Sequence, residues 1–214
     1  MPKEFEKRFI SSIILIPVAI FFILQGSVFF IFFLSLIFLA TCYEWFKMSK
    51  KNKLINFFGI IFLLFSFYTA FYTRENSLNL FLLIMIICIF TDIGGYIFGK
   101  MFKGAKLTSI SPNKTYSGVF GSFLFSLIFG LITIKYLDFE LLSNSTHLFT
   151  FFLILFISLV SQIGDLIISY FKRKAKLKDT GKIIPGHGGL LDRIDGLIFV
   201  FPVNFLFINV LTLI

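Results

Sequence analysis

Apolar residues run in long blocks along this 214-residue chain, and polar residues crowd into the short gaps between them. Seven blocks are long enough to cross a hydrocarbon core of ~30 Å, which takes about 20 helical residues. They lie near 9–25, 27–45, 54–73, 78–98, 117–137, 147–170 and 194–213. Inside lipid every backbone N–H and C=O needs a partner, so blocks of this length predict helices. The expected fold class is all-α, a polytopic integral membrane protein with about seven transmembrane helices. Gln25-Gly26-Ser27 predicts a tight turn between the first two spans. Phe9–Leu24 follows Lys7-Arg8 as the core of a secretory signal would. Its apolar run is long and no small-x-small cleavage site follows, so it is read as a helix. No repeat, linker or low-complexity tract divides the chain, which predicts a single transmembrane domain over 1–214.

Composition agrees with that reading: 57% of residues are hydrophobic and 14% charged, against roughly 25% charged in soluble domains. Cys42 and Cys88 fall in apolar runs at different depths, with neither a disulfide framework nor zinc spacing between them. The charges set an orientation. Eighteen of the twenty Lys and Arg residues lie before the first span or after the second, fourth and sixth. Only Arg74 and Lys135 occupy the alternate loops. The positive-inside rule makes the basic side cytoplasmic, with the amino terminus inside and the carboxyl terminus outside. A net charge of +9 then calls for no nucleic acid, because anionic lipid headgroups account for it. Neither a P-loop nor a GxGxxG motif is present. Asn144-Ser145-Thr146 is a chance sequon, and His147 is read as a surface residue.

Acids inside a membrane are costly and mark function. Glu44, beside Trp45 at the end of the second span, is expected to face the interface. Asp92 and Asp165 lie five or six residues before the cytoplasmic ends of the fourth and sixth spans. At 1.5 Å per residue each sits roughly 8–9 Å below the surface. Asp192 and Asp195 open the last span from the same side, at a spacing that shares one helix face. Four carboxylates from three spans thus converge at one depth. Such a cluster suits Mg²⁺, which takes one or two carboxylates plus substrate phosphates. Ion pairing with Arg193, Lys172 or Arg173 is the structural alternative.

Between the sixth and last spans, Ser169–Gly196 concentrates seven basic residues, three carboxylates and His187. Gly186, Gly188 and Gly189 let backbone approach a ligand, and Pro185 sharpens the re-entry. Amides, a histidine and Lys or Arg side chains facing one anion would make a phosphate-binding loop. Lys174, Lys176 and Lys182 are read instead as juxtamembrane anchors. A second loop on that face carries Ser111-Pro112-Asn113-Lys114-Thr115, suited to a phosphate or ribose, or else a solvated basic turn.

With these residues set out, the chain resembles the phosphatidate cytidylyltransferases, or CDP-diacylglycerol synthases. The family motif is matched by Ser169, Lys172, Arg173, Lys178, Asp179, Pro185, Gly186, His187, Gly188, Gly189, Asp192, Arg193 and Asp195. Gln162-Ile163-Gly164-Asp165-Leu166 resembles its lead-in, and Asp92-Ile93-Gly94-Gly95-Tyr96 its Asp-x-x-Ala-Tyr element with Gly95 in the Ala place. Ser111–Thr115 is similar to its Ser-Pro-Lys-Lys-Thr loop, with Asn113 for the first Lys and Ser117-Gly118 for the Glu-Gly that follows.

The resemblance implies transfer of a cytidylyl group from CTP to phosphatidate, a membrane lipid, giving CDP-diacylglycerol and pyrophosphate. It implies two cations, Mg²⁺ and a second such as K⁺, with Asp165 and Asp192 as first ligands and Asp195 and Asp92 as further ligands or their supports. Lys172, Arg173, Lys178 and Arg193 are assigned to phosphates, and Ser169 to the polar lining. Asp179, Gly188, Gly189, Ser111, Lys114 and Thr115 join them around the substrates. His187 either contacts a phosphate or protonates the leaving pyrophosphate. The expected location is a bacterial inner (plasma) membrane, with the active site on the cytoplasmic side and a homodimer compatible with the family. A CTP-dependent polyprenol or phytol kinase is the nearest rival, and a small cation transporter the rival from another class. Acids near one surface rather than at the midplane count against transport.

Overall fold

A computed structural model of the chain describes residues 2–108, 111, 114–137 and 147–211. Their order is α1 (Pro2–Gln25), α2 (Ser27–Ser49), α3 (Lys53–Asn76), α4 (Leu78–Phe102), α5 (Tyr116–Tyr136), α6 (His147–Lys174), α7 (Leu191–Ile194) and α8 (Leu197–Leu211). Six of these, α1 to α6, are long and apolar enough to cross a membrane. The protein is an all-α polytopic membrane protein. The last apolar block holds the helix α8, which has 15 described residues, and the single turn α7 leads into it. The segment Asn144–Thr146 and the residues Pro112 and Asn113 lie outside the described residues.

The helix ends follow from particular side chains. Asn52 caps α3 by accepting from Ile55 N at 3.1 Å. Ser77 alone joins α3 to α4: its N–H donates to Thr73 O at 2.9 Å, and its hydroxyl accepts from Leu80 N at 3.2 Å. At the α1–α2 turn Gly26 adopts φ 67°. Arg74 reaches across from α3 to donate to Ile23 O (2.9 Å) and Leu24 O (3.0 Å), covering carbonyls that the end of α1 leaves free. One of the two basic residues outside the main cluster is thus a helix cap. Pro202 inside α8 cannot donate to Ile198 O, and Ser66 of α3 donates to that carbonyl instead, at 2.6 Å.

Helix α4 is central and packs against α3, α5, α6 and α8. Its Leu83, Ile84 and Ile87 are fully buried with Ile154 and Ile157 of α6. A second apolar cluster joins Trp45, Met48, Leu63, Ile168, Leu191 and Ile198, and seats the start of the last block on α2, α3 and α6. Helix α1 packs chiefly on α2.

Candidate active site

Helix α6 carries Asp165, Ser169 and Lys172 at helical spacing and ends at Lys174. The chain then turns back through Lys176 (φ 59°) toward α7. Gly186 (φ 77°) and Gly188 (φ 91°) supply the left-handed conformations of a tight turn. Ile184 N donates to Gly188 O at 3.0 Å, and His187 N donates to Ile184 O at 3.0 Å. The second polar loop is pinned by Leu107 N to Lys114 O (2.8 Å) and Tyr116 N to Ala105 O (3.1 Å).

These pieces meet around a cavity of about 450 Å³ lined by Asp92, Asp165, Asp179, Asp192 and Asp195, with Lys114, Lys172 and Arg193. The four acids expected from topology to converge do line one space. Lys114 Nζ stands 2.6 Å from Asp165 Oδ2, and Ser169 donates to Asp165 Oδ1 at 3.2 Å. Lys172 Nζ stands 2.7 Å from Asp192 Oδ1. Asp192 Oδ2 accepts from Thr180 N (2.8 Å) and Gly189 N (3.3 Å) and stands 3.0 Å from Thr180 Oγ1, whose single proton it shares with Glu44 Oε2. Asp195 is buried and accepts from Gly196 N at 2.9 Å. Asp92, Asp165 and Asp195 are close enough for their charges to repel. Five carboxylates against three cations leave the cavity with an excess of anionic oxygen, which is the chemistry of a site for a hard cation. Among the described residues no three His, Cys, Asp or Glu side chains are already gathered at metal-holding distance. Substrate phosphates or a shift of rotamers would have to complete a metal's shell.

Ser111 and Thr115 line the same cavity, and Thr115 also caps α5 by accepting from Gly118 N at 3.1 Å. Gly188 lies against Asp179 and Asp192, while Gly189 packs on Thr180 and Glu44, so its missing side chain serves the loop's own packing. Arg193 faces the cavity and also donates to His187 O. Three residues assigned to the chemistry stand elsewhere. Arg173 donates to Leu177 O at 3.2 Å behind the end of α6, and Lys178 is exposed beyond the lining. The His187 ring turns to α1, with Ser11 Oγ 2.9 Å from Nδ1 and Ser12 Oγ 3.4 Å from Nε2.

Glu44 requires a correction. It does not face the interface: it is 1% exposed and accepts from Leu190 N (3.0 Å), Leu191 N (2.8 Å) and Thr180 Oγ1 (2.9 Å). Buried acids are kept where donors satisfy them, and here the donors belong to the glycine-rich segment. The rule that singled out Asp92 and Asp165, an acid inside an apolar block, applies equally to Glu44. Thr180, 2% exposed, offered no sequence signal, being one hydroxyl in a polar loop.

Fold and site together define a polytopic membrane enzyme with an acid- and lysine-lined pocket at one end of its bundle. Residues 54–211 match the model of the Cytidylyltransferase family, and the chain belongs to that family. It is 36% identical over 209 residues to a protein of Rickettsia bellii (strain RML369-C) named phosphatidate cytidylyltransferase, covering 94% of this chain and 89% of the relative. A protein of the same name from Rickettsia felis (strain ATCC VR-1525 / URRWXCal2) is 35% identical over 211 residues, covering 95% and 92%. One from Staphylococcus aureus (strain COL) is 46% identical over 131 residues, covering 61% and 49%.

Proposed function

We infer that the protein transfers the cytidylyl group of CTP to phosphatidate, forming CDP-diacylglycerol and pyrophosphate. A phosphate oxygen of phosphatidate attacks the α-phosphorus of CTP, and the bond from that phosphorus to the oxygen bridging to the β-phosphate breaks as pyrophosphate leaves. The attacking phosphate is already ionised near neutral pH, so no general base is needed. The barrier lies in bringing two anions together and stabilising the charge on the departing group.

The observation that carries this reading is the cavity shared by Asp92, Asp165, Asp192 and Asp195 with Lys114 and Lys172. Its oxygen set fits Mg²⁺ with a second cation such as K⁺; Asp165 with Asp92 and Asp195 would hold Mg²⁺, and Asp192 would reach a cation through Oδ1. When bound, the metal would neutralise phosphate oxygens in the transition state. Lys114 pairs with Asp165 and Lys172 with Asp192 at the cavity wall. Both ammonium groups, with Arg193, would turn onto phosphate oxygens of a bound triphosphate once cations took their place at the carboxylates. Ser111 and Thr115 add hydroxyl donors on the α4–α5 side.

A lipid substrate accords with a second cavity of about 790 Å³, lined almost wholly by apolar side chains. Ile183, Ile184, Pro185, Leu190 and Ile194 line it, whereas Asp179, Asp192, Arg193 and Asp195 of the same segment line the charged one. One stretch of chain therefore offers a hydrocarbon face and an ionic face, as an amphiphile requires. The excess of basic residues around these loops supports a site on the cytoplasmic side of a bacterial inner membrane, with the amino terminus inside.

The test uses detergent-purified protein with phosphatidate, CTP labelled at the α-phosphorus and Mg²⁺. The expected result is labelled CDP-diacylglycerol with stoichiometric pyrophosphate, and none from Asp192→Asn. Release of CDP without lipid-bound cytidine would overturn the reading in favour of a kinase.

A further inference from the structure

Glu44 is separated by more than 130 residues in sequence from everything it binds in the glycine-rich segment. Its two oxygens take two consecutive amides, Oε1 from Leu190 and Oε2 from Leu191, immediately before Asp192. Oε2 also takes the Thr180 hydroxyl, which stands 2.9 Å from it and 3.0 Å from Asp192 Oδ2. The segment is shaped around this acid: a Cβ on Gly181 would run into the Glu44 carboxylate, and one on Gly189 would come within 2.8 Å of Oε2. No lysine or arginine pairs with Glu44 among the described residues, so backbone and hydroxyl donors alone satisfy a charged group in the interior.

The consequence reaches the cavity through Asp192. Amides on the Glu44 carboxylate fix where the Asp192 backbone sits, and Thr180 fixes how its side chain is turned. With Oδ2 held by Thr180 and Gly189, Oδ1 is the oxygen left to Lys172 and the cavity. We propose that Glu44 is a positioning residue, holding Asp192 through Thr180 and the amides of Leu190 and Leu191 so that Oδ1 faces Lys172 and the charged cavity. The proposal rests on the cytidylyl-transfer reading for its kinetic consequences, but the clamp itself does not.

Two measurements test it. In the kinetic arm Glu44→Gln keeps the shape but puts an amide NH₂ against donors. It should lower kcat by about 10–100-fold, the usual cost of losing a group that orients a ligand, with KM for CTP within about threefold. Thr180→Val should fall likewise, Thr180→Ser should retain activity, and the double variant Glu44→Gln/Thr180→Val should lose no more than the worse single one. In the physical arm, amide exchange in Glu44→Gln should speed up across 180–192 while α2 stays protected. Wild-type kcat in Glu44→Gln, Thr180→Ser as damaged as Thr180→Val, additive losses, or loosening spread evenly through α2 would each overturn the proposal. If Glu44→Gln does not fold, the Thr180 pair decides. A wild type with no CDP-diacylglycerol product would sink the functional reading, and the exchange arm would still decide the clamp.

Discussion

Helices α4 and α5 meet backbone to backbone, whereas α1 is tied by polar side chains near its two ends, leans on α2 and borders an apolar cavity between the ties. Gly94, Gly95 and Gly99 face Gly118 and Gly121, and a Cβ on Gly118 would lie 2.9 Å from Gly95 O. Ser122 donates to Thr91 O at 2.7 Å, and the rings of Phe90 and Phe129 stack. On α1, Arg8 donates to Gly186 O (2.8 Å) and Ser11 to Pro185 O (3.1 Å). Arg74 holds the far end, and between these ties Ile14, Leu15, Val18 and Phe22 line the apolar cavity. Lipid tails are as apolar as leucine, so close helix contact in a membrane needs small residues rather than hydrophobicity. The close pair carries Asp92 and ends at the Lys114–Thr115 loop, where small displacements matter for chemistry. The tethered helix fences hydrocarbon, where space is useful.

The largest effect expected is at the charged cavity itself. Asp165→Asn should cost about 10³-fold in kcat/KM, the scale of losing a preorganised electrostatic group. Steady-state assay with both substrates checks this, and loss below about tenfold would remove Asp165 from the site. Next is the close contact. Gly121→Val would drive a side chain into Phe98 and to within 2.6 Å of Gly94 O. Prying α5 from α4 moves Lys114 relative to Asp92, and a shift of ~1 Å can cost about 10²-fold. The measurement is kcat on protein shown to be folded by its elution profile and melting curve. Activity near wild type would mean that the two helices need not touch.

Most of the framework was legible because apolar blocks of membrane length have few alternatives: α2–α6 begin within one residue of the expected starts, while α1 begins at Pro2, seven residues before its apolar block. The last block was harder. Expected as one span over 194–213, it is described as a helix from Leu197 to Leu211, preceded by the charged single turn Leu191–Ile194 and by Asp195-Gly196. Convergence of Asp92, Asp165, Asp192 and Asp195 was readable from topology, since depth along a helix is set by residue count. The direction of a loop side chain was not. His187 faces Ser11 and Ser12 because α1 lies beside the turn, a contact across some 175 residues that local pattern does not contain. Glu44 was misplaced for the same reason: an acid near a span end suits water or a buried donor set equally until the partner segment is in place. The glycines were read as letting backbone approach a ligand, and what stands against Gly189 is the chain itself, Glu44 and Thr180.

Cutting the tether on α1 should cost less than wedging α4 from α5. Arg8→Met with Ser11→Ala removes the side-chain donors to Gly186 O and Pro185 O and leaves the His187 ring with Ser12 alone. Hydrogen bonds of this kind each contribute modestly to net stability, so a loss of about tenfold or less in kcat is expected, with faster amide exchange in α1 and in 183–188. A loss as deep as that of Gly121→Val would show that α1 takes part in the chemistry and that the contrast between the two regions is false.

The smallest effect sharpens the contrast most, because it repeats the wedge on the other helix. Ala19 lines the apolar cavity from α1. Ala19→Phe adds bulk comparable to that of Gly121→Val, but into open space rather than into a neighbouring backbone. Overpacking costs arise where a site is already filled, so the melting temperature should stay within a few degrees of wild type. If phosphatidate chains occupy the cavity, KM for long-chain phosphatidate should rise about threefold, while a short-chain phosphatidate and CTP keep their wild-type values. Equal KM changes for long and short chains would take the cavity out of substrate binding. A collapse in stability like that of Gly121→Val would mean that α1 is packed as closely as α5, and that its two polar ties are not what holds it.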